Sequence, residues 1–301
     1  MPFPTFDIAG TSKPIPAIAF GTGSDWRANP RPVGPDGVAS EVVDVIVSAA
    51  KAGFRHFDAA ENYKNEVSVG AGLEATGLSR DELYITSKVH PSLGKVEEEI
   101  QRQLKLLRVD YLDLYLIHSP KAAEQAGLTL KEAWARLEAL VDQGLVRAIG
   151  VSNYAPIDFD SFFPSARIKP VVNQISVYPY VYHRALPNII YAQKHGIRIE
   201  AYELSSSLIR ESEKGGPLDP VLDKIAAEHS KDGKTFTPGQ VLLGWSAAKG
   251  FVAVTTSSKP ARLQEYIDAG EITLTPEQVE AIDQAGKEGA EQGYGKYWSW
   301  Q

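Results

Sequence analysis

The chain has 301 residues, of which 43% are hydrophobic, and this length can bury the core of either one (β/α) barrel or two ordinary domains. Its formal net charge is −7, with acidic and basic residues interspersed, which argues against nucleic acid and anionic membranes as partners. The absence of cysteine excludes disulfides, thiolate nucleophiles and iron–sulfur clusters. Because residues 1–10 lack a signal-peptide pattern and no apolar run reaches the roughly 20 residues of a membrane span, we expect a cytoplasmic protein.

The predicted elements begin with a short hairpin over Phe3–Pro14, which we place at the bottom of a barrel. From Pro16 onward, short apolar runs alternate with longer amphipathic stretches, a pattern typical of repeated βα units. We predict strands at eight of the apolar runs: Ala17–Phe20, Phe54–Asp58, Leu83–Val89, Leu112–His118, Val146–Ser152, Val171–Val177, Ile197–Tyr202 and Phe251–Thr255.

Helices are predicted between these strands. Over Glu41–Lys51 and Leu130–Val141, apolar residues recur at spacings of three and four, which indicates an amphipathic helix. Two further helix starts are recognisable at Thr237 and Thr275, because each Thr is followed directly by Pro and, two residues after the Pro, by Gln. This order predicts a Thr N-cap, a Pro in the first helical position and a Gln that completes a capping box.

The predicted strands are continuously apolar, which indicates burial on both faces in a parallel barrel wrapped by helices. A doubly wound open sheet is the competing fold, and its mark is a Gly-x-Gly-x-x-Gly turn after the first strand. Here Gly21 and Gly23 are present, but the third glycine is missing and a Pro-rich loop follows. We therefore predict a (β/α)8 TIM barrel, one domain over residues 1–301, with a C-terminal tail at the substrate pocket.

Titratable side chains end three consecutive predicted strands. Asp58 ends the second, Lys88 the third and His118 the fourth, and Tyr63 lies five residues past Asp58. Neighbouring strand ends lie about 5 Å apart, so we expect the four side chains to meet at the catalytic face of the barrel. An ammonium beside a phenol lowers the pKa of the phenol, and a carboxylate holds the ammonium in place. The cluster predicts proton donation by Tyr63, with His118 orienting the substrate oxygen.

Five segments resemble the signatures of the aldo-keto reductase superfamily, in the same order along nearly the whole chain: residues 57–66, 85–89, 110–118, 150–154 and 172–174. The resemblance implies an NADPH-dependent reductase that converts aldehydes and ketones to alcohols. It assigns the catalytic positions to Asp58, Tyr63, Lys88 and His118, with Tyr63 as the general acid. It also implies a monomer.

The resemblance further places Ser152, Asn153 and Gln174 on the nicotinamide carboxamide, and Tyr202 flat against the nicotinamide ring. The remaining cofactor-binding positions on this side of the barrel are Thr22, Gly23 and Asp58.

The segment after Tyr202 departs from the Ser-Pro-Leu-Gly of many relatives, and within it we expect Ser205 and Ser207 to contact the pyrophosphate. After the eighth strand, a helix start resembles the family's adenosine-phosphate motif and favours an anion. Many relatives have a lysine where this chain has Thr256, but Lys259 and Arg262 supply two cations for a 2′-phosphate, so we expect NADPH rather than NADH. The positions implied here are Thr256, Ser257, Ser258, Lys259, Arg262 and Glu265.

Substrate contacts are expected from Trp26, Tyr63, His90, His118 and Trp298. Trp298 belongs to an aromatic C-terminal tail, and His90 stands where many relatives have tryptophan. The sequence is similar to fungal-type members that act on conjugated diketones, α-keto lactones and α-keto esters.

Other functions fit less well. A glycosidase needs two opposed carboxylates, but only Glu203 follows a suitable strand, since His118 ends strand four. A metal-dependent hydrolase needs several converging histidines, and only His118 ends a strand, so no metal is expected. The open alternative is an NADPH-binding regulatory subunit on the same fold.

Overall fold

Eight parallel strands form a closed barrel in the computed structural model of this protein, which describes residues 3–23, 31–231 and 233–296. A two-stranded antiparallel hairpin, β1 (Thr5–Phe6) and β2 (Ile15–Pro16), precedes the barrel. The barrel strands are β3 (Ile18–Gly21), β4 (His56–Asp58), β5 (Tyr84–Val89), β6 (Leu112–Ile117), β7 (Val146–Ser152), β8 (Val172–Ser176), β9 (Arg198–Tyr202) and β10 (Val252–Thr255). Each strand pairs with the next along the chain, and β10 closes the ring against β3.

The eight predicted barrel strands are confirmed, although several begin later than predicted. Phe54 is the clearest case, because β4 starts only at His56. Phe54 is nevertheless fully buried and packs edge-on against Phe20, with ring centroids 5.8 Å apart. An apolar run in the sequence therefore shows where the chain becomes buried. Here the chain is buried from Phe54, two residues before the hydrogen-bonded strand begins.

Helices cover the outside of the barrel. They are α1 (Ser40–Ala52), α2 (Glu66–Ala75), α3 (Val96–Leu107), α4 (Pro120–Gln125), α5 (Leu130–Asp142), α6 (Pro156–Asp160), α7 (Pro179–Lys194), α8 (Ser206–Ile209), α9 (Leu218–His229), α10 (Pro238–Ala248), α11 (Pro260–Asp268) and α12 (Pro276–Glu291). The helices predicted over Glu41–Lys51 and Leu130–Val141 are thus confirmed. Both capping boxes are also present, at Thr237 and Thr275.

The apolar core has two parts. The larger part lies between the strands and the helices and includes Trp134 and Trp245, both buried. The smaller part contains Leu114, Leu116 and Val252 from the barrel strands together with Ile8 and Ile15 from the hairpin segment. The predicted hairpin therefore exists, and its apolar side chains close the amino-terminal end of the barrel against water.

None of the helices in the described ranges is long and apolar enough to cross a lipid bilayer.

The contact between α2 and α3 depends on a glycine. A methyl group built on Gly70 would lie 2.1 Å from the carbonyl oxygen of Leu106, and a backbone atom cannot move aside as a side chain can. Replacing Gly70 by Ala should therefore lower the free energy of unfolding by about 2–3 kcal/mol, measured by urea denaturation. Gly94→Ala is the control, because its new methyl would meet nothing closer than 3.6 Å. Equal stability of the two variants would contradict this packing.

Candidate active site

Asp58 and Lys88 meet in the interior of the barrel. The parallel register pairs Asp58 with Thr86, so Lys88 lies two residues further along β5. Both side chains are almost completely buried, and Lys88 Nζ donates to Asp58 Oδ1 at 2.6 Å. Its two other donors reach the Ala59 carbonyl oxygen at 3.0 Å and Tyr63 Oη at 3.3 Å. All three donors of the ammonium are therefore used, and one of them contacts the phenol.

Tyr63 is held by the loop that follows β4. It ends a turn of 3-10 helix, Glu61–Tyr63, and the buried Glu61 carboxylate accepts from the backbone N–H of His90 at 2.9 Å. On the other side, the ring packs on Gly23, where a built methyl group would lie only 2.4 Å from a ring carbon. Only glycine at position 23 allows the ring to approach this closely. The contact with Gly23 fixes the position of the Tyr63 phenol.

His118 completes the predicted cluster. It follows β6, and its ring lies edge-on to the Tyr63 ring with centroids 5.7 Å apart. Its carbonyl oxygen accepts from Asn153 Nδ2 at 3.1 Å, which links this strand end to the end of β7. The His90 ring lies 6.2 Å from the His118 ring, and His90 Nε2 contacts Gln125 Oε1 at 3.1 Å. The structure thus brings together the four side chains that the sequence predicts, with His90 beside them.

The surroundings fix the charge of Lys88. Burial alone would lower the pKa of the ammonium, but Asp58 and Tyr63 outweigh burial and hold the pKa above its ordinary value. Lys88 therefore stays protonated at neutral pH. His56, on the same strand as Asp58, behaves oppositely, because burial lowers the pKa of its imidazole to about 3 and keeps the ring neutral.

A second carboxyl group lies close to Asp58. Gln174 Nε2 donates to Asp58 Oδ2 at 2.8 Å and to Glu200 Oε2 at 2.6 Å. Glu200 is fully buried, and burial, together with the nearby Asp58, raises the pKa of its carboxyl to about 8. The sequence interpretation missed Glu200, although an acidic residue inside an otherwise apolar strand is a signal that could have found it.

A cavity of about 650 Å³ opens at the carboxyl ends of the strands, with Asp58, Tyr63 and His118 on its wall. Seven further predicted cofactor residues also line it: Gly23, Ser152, Asn153, Gln174 and Tyr202 from the nicotinamide set, Ser205 from the pyrophosphate set and Thr256 from the adenosine-phosphate set. Asn153 has a left-handed backbone, with φ of 62°, and its Oδ1 accepts from Tyr202 Oη at 2.8 Å. The amide and the aromatic ring are therefore held in a fixed relation on the wall.

Thr22, from the nicotinamide set, and Ser207, from the pyrophosphate set, do not line the cavity. Thr22 is buried, and its hydroxyl donates to the carbonyl oxygen of Asp58 at 3.0 Å, so it supports the strand end. Ser207 is fully buried, and its hydroxyl has no partner among the described residues. The α8 turn presents Ser205 and Ser206 to the cavity instead.

The predicted phosphate positions lie at the start of α11, beyond Thr255 and Thr256 on the wall. Arg262 Nε pairs with Glu265 Oε2 at 3.3 Å, and both side chains are partly exposed. Three other members of this set also do not line the cavity: Ser257, Ser258 and Lys259. The expected substrate residues Trp26 and Trp298 lie outside the described residues.

The wall also carries an ion pair that the sequence interpretation missed. Glu203 and Arg210 form an ion pair there, and Glu203 Oε2 accepts from Ser176 Oγ at 2.7 Å. Glu203 has a φ of 65°, in the left-handed region that glutamate seldom adopts. No residue type in this segment signals that conformation, so the sequence pattern could not have located the pair.

Comparisons with known proteins agree in one family. Residues 18–287 match the model of the Aldo/keto reductase family. The chain is 32% identical over 279 residues to the NAD/NADP-dependent indole-3-acetaldehyde reductase of Schizosaccharomyces pombe, covering 93% of this chain and 94% of that protein. It is 33% identical over 282 residues to the NADPH-dependent alpha-keto amide reductase of Saccharomyces cerevisiae, covering 91% and 88%. A crystal structure of a Bombyx mori aldo-keto reductase in complex with NADP superimposes with a TM-score of 0.81 and 30% identity, covering 96% of this chain and 94% of that one.

Removing one partner of the buried ion pair should lower the free energy of unfolding. Lys88→Met leaves the Asp58 carboxylate buried without a cation, and we expect a loss of about 3–5 kcal/mol in the free energy of unfolding. Adding Asp58→Asn removes the stranded charge and should restore most of that loss. The control is Arg167→Met, which breaks an exposed pair with Asp142 and should cost less than about 1 kcal/mol. Urea denaturation of the wild type and the three variants tests this, and a double variant no more stable than Lys88→Met would contradict it.

Proposed function

The chain belongs to the aldo/keto reductase family, whose model matches residues 18–287, and from this premise we propose that it reduces aldehydes and ketones to alcohols with NADPH. The observation that carries the proposal is the contact of the Lys88 ammonium with both Asp58 and Tyr63 at the wall of the cavity. We also propose one domain over residues 1–301 acting as a cytoplasmic monomer.

The residues on the wall fit a nicotinamide dinucleotide. The cavity of about 650 Å³ is within the range of small-molecule sites. Gln174 gives both of its N–H donors to Asp58 and Glu200, which leaves its Oε1 to accept from the N–H of a carboxamide. Among the described residues of the wall, Arg210 is the one with a permanent positive charge, and a guanidinium suits a phosphate group.

NADPH is proposed over NADH for two reasons. The Saccharomyces cerevisiae relative is named as NADPH-dependent, and the Bombyx mori structure contains NADP. In this chain, Lys259 and Arg262 stand at the start of α11, where two cations and the helix amino terminus favour a 2′-phosphate. These residues would hold the phosphate that distinguishes the two cofactors.

The chain's own residues supply the proton. When bound, NADPH supplies the hydride for the carbonyl carbon. Tyr63 donates its phenolic proton to the carbonyl oxygen, and His118 donates a hydrogen bond that orients that oxygen. The Lys88 ammonium, 3.3 Å from Tyr63 Oη, stabilises the tyrosinate that remains. Asp58 in turn keeps Lys88 charged and in place, within a part of the barrel that excludes water.

For substrates we propose conjugated diketones, α-keto esters and α-keto lactones. The Saccharomyces cerevisiae relative is named for α-keto amides, which also place a second carbonyl beside the one that is reduced. His90, whose ring lies 6.2 Å from the His118 ring, is the residue that we propose contacts that second carbonyl. This part of the proposal is tested with a panel of α-dicarbonyl compounds and simple aldehydes.

Tyr63→Phe tests the proton donor. The phenyl ring can still pack on Gly23, but it has no proton to give, so the rate of NADPH oxidation with any reducible carbonyl should fall about 10²- to 10⁴-fold. NADPH affinity, measured by quenching of protein fluorescence, should change little. Tyr294→Phe is the control, because Tyr294 stacks on Tyr180 away from the cavity. A Tyr63→Phe enzyme that works at the wild-type rate would show that Tyr63 is not the proton donor.

The wild type itself tests the alternative function. A wild-type protein that binds NADPH and reduces no carbonyl compound would favour the NADPH-binding regulatory subunit.

Arg262→Ala tests the cofactor preference. Losing a charge-assisted hydrogen bond to a 2′-phosphate should weaken NADPH binding about 10- to 100-fold, whereas NADH, which lacks that phosphate, should bind as before. The control is Arg108→Ala, which removes an exposed arginine that pairs with Glu74. Dissociation constants for both cofactors give the answer, and equal losses for NADPH and NADH would reject the assignment.

A further inference from the structure

Glu200 is a buried acid for which the reaction described above has no use. It lies in the middle of β9, and the parallel register places it beside Gln174 of β8. Its Oε2 accepts from Gln174 Nε2 at 2.6 Å, while its Oε1 has no partner among the described residues. The same amide nitrogen reaches Asp58 at 2.8 Å. One side-chain amide thus joins Glu200 to the carboxylate that holds Lys88.

This arrangement fixes the orientation of the Gln174 amide. If the amide were reversed, its oxygen would face the oxygens of two carboxyl groups, and at least one repulsive contact would result. Asp58 and Glu200 together therefore hold the nitrogen inward. The oxygen, which is the one hydrogen-bonding atom left on the Gln174 amide, is the group that Gln174 can offer to a ligand in the cavity.

The charges around Glu200 do not balance if it is ionised. The strands on either side of it, β8 and β10, contain no titratable side chain. Across the barrel, β4 presents Asp58 and a neutral His56, and β5 presents Lys88 and Tyr84, a phenol whose pKa burial raises well above its ordinary value. On β9 itself, Arg198 donates to the Gly250 carbonyl oxygen and lies over the Phe6 ring. Among these described groups, two carboxylates would therefore share the single buried ammonium of Lys88.

A proton on Glu200 would remove this imbalance. Burial, and then the nearby Asp58, raise the pKa of the Glu200 carboxyl to about 8, so the group is neutral at neutral pH. Because Oε2 accepts from Gln174, the proton belongs on Oε1.

We propose that Glu200 is a positioning residue of the reduction, which carries a proton, holds the Gln174 amide in place and leaves Asp58 as the only anion beside Lys88. This inference rests on the proposed function. Ionisation of Glu200 adds a second anion near the ammonium, so Lys88 stabilises the tyrosinate less and Tyr63 becomes a weaker acid. Reduction therefore slows as Glu200 loses its proton in alkaline solution.

The proton itself can be observed without cofactor or substrate. Infrared spectra of the wild type minus Glu200→Gln should show the carbonyl band of a protonated carboxylic acid, which disappears with a midpoint near pH 8. Glu99→Gln is the matched control, since Glu99 is also buried and also accepts from a glutamine, but pairs with Arg102. The wild type minus Glu99→Gln should lack the band. A wild type without the Glu200 band at about pH 6 would overturn the proposal, whether or not a carbonyl substrate is found.

Binding and kinetics test the positioning role. Glu200→Leu removes the acceptor from Gln174 and should weaken NADPH binding severalfold, whereas Glu200→Gln keeps an acceptor and should rescue it. The kcat for reduction should fall about tenfold between about pH 6.5 and pH 9 in the wild type and less than about twofold in Glu200→Gln. Equal NADPH affinity in the Leu and Gln variants, or the same alkaline fall in wild type and Glu200→Gln, would overturn the role. The binding arm needs no turnover, so failure to find a substrate counts against the proposed function alone.

Discussion

The buried ion pair between Lys88 and Asp58 is the constraint on which the site depends. An ammonium and a carboxylate that are both almost completely buried contribute little net stability, because apolar residues of similar size would fill the same space at no electrostatic cost. What the pair provides is a positive charge held 3.3 Å from the Tyr63 oxygen. Glu61, through the backbone of His90, and Gly23, under the ring, hold the phenol next to that charge.

The barrel makes this pair possible. Parallel strands bring the ends of β4, β5 and β6 to the same level, so residues far apart in the chain become neighbours. Below that level lies the smaller apolar cluster, in which Ile8 and Ile15 close the amino-terminal end of the barrel. Water is thereby kept from the ion pair on that side, which strengthens the interaction between its charges. The same exclusion of water is what makes an unpaired acid such as Glu200 take up a proton.

Much of this could be predicted from the sequence, because apolar runs mark barrel strands and polar residues at the ends of those runs mark the site. Asp58, Lys88 and His118 were found in that way. The start of β4 was wrong by two residues, since Phe54 is buried before the ladder begins. The ion pair between Glu203 and Arg210 could not be predicted. It depends on the left-handed backbone of Glu203, and no residue type in this segment signals that conformation.

The three acids at this end of the barrel differ in the contacts that their carboxyl groups make. Asp58 has a cation at 2.6 Å, and Glu203 forms an ion pair with Arg210, so each has a positive charge to oppose its own. Glu200 is as deeply buried as Asp58, but its one hydrogen-bond partner among the described residues is the Gln174 amide. Desolvation favours the neutral form of an acid, and an adjacent cation opposes that preference. Glu200 has no such contact among the described residues, so burial raises the pKa of its carboxyl to about 8.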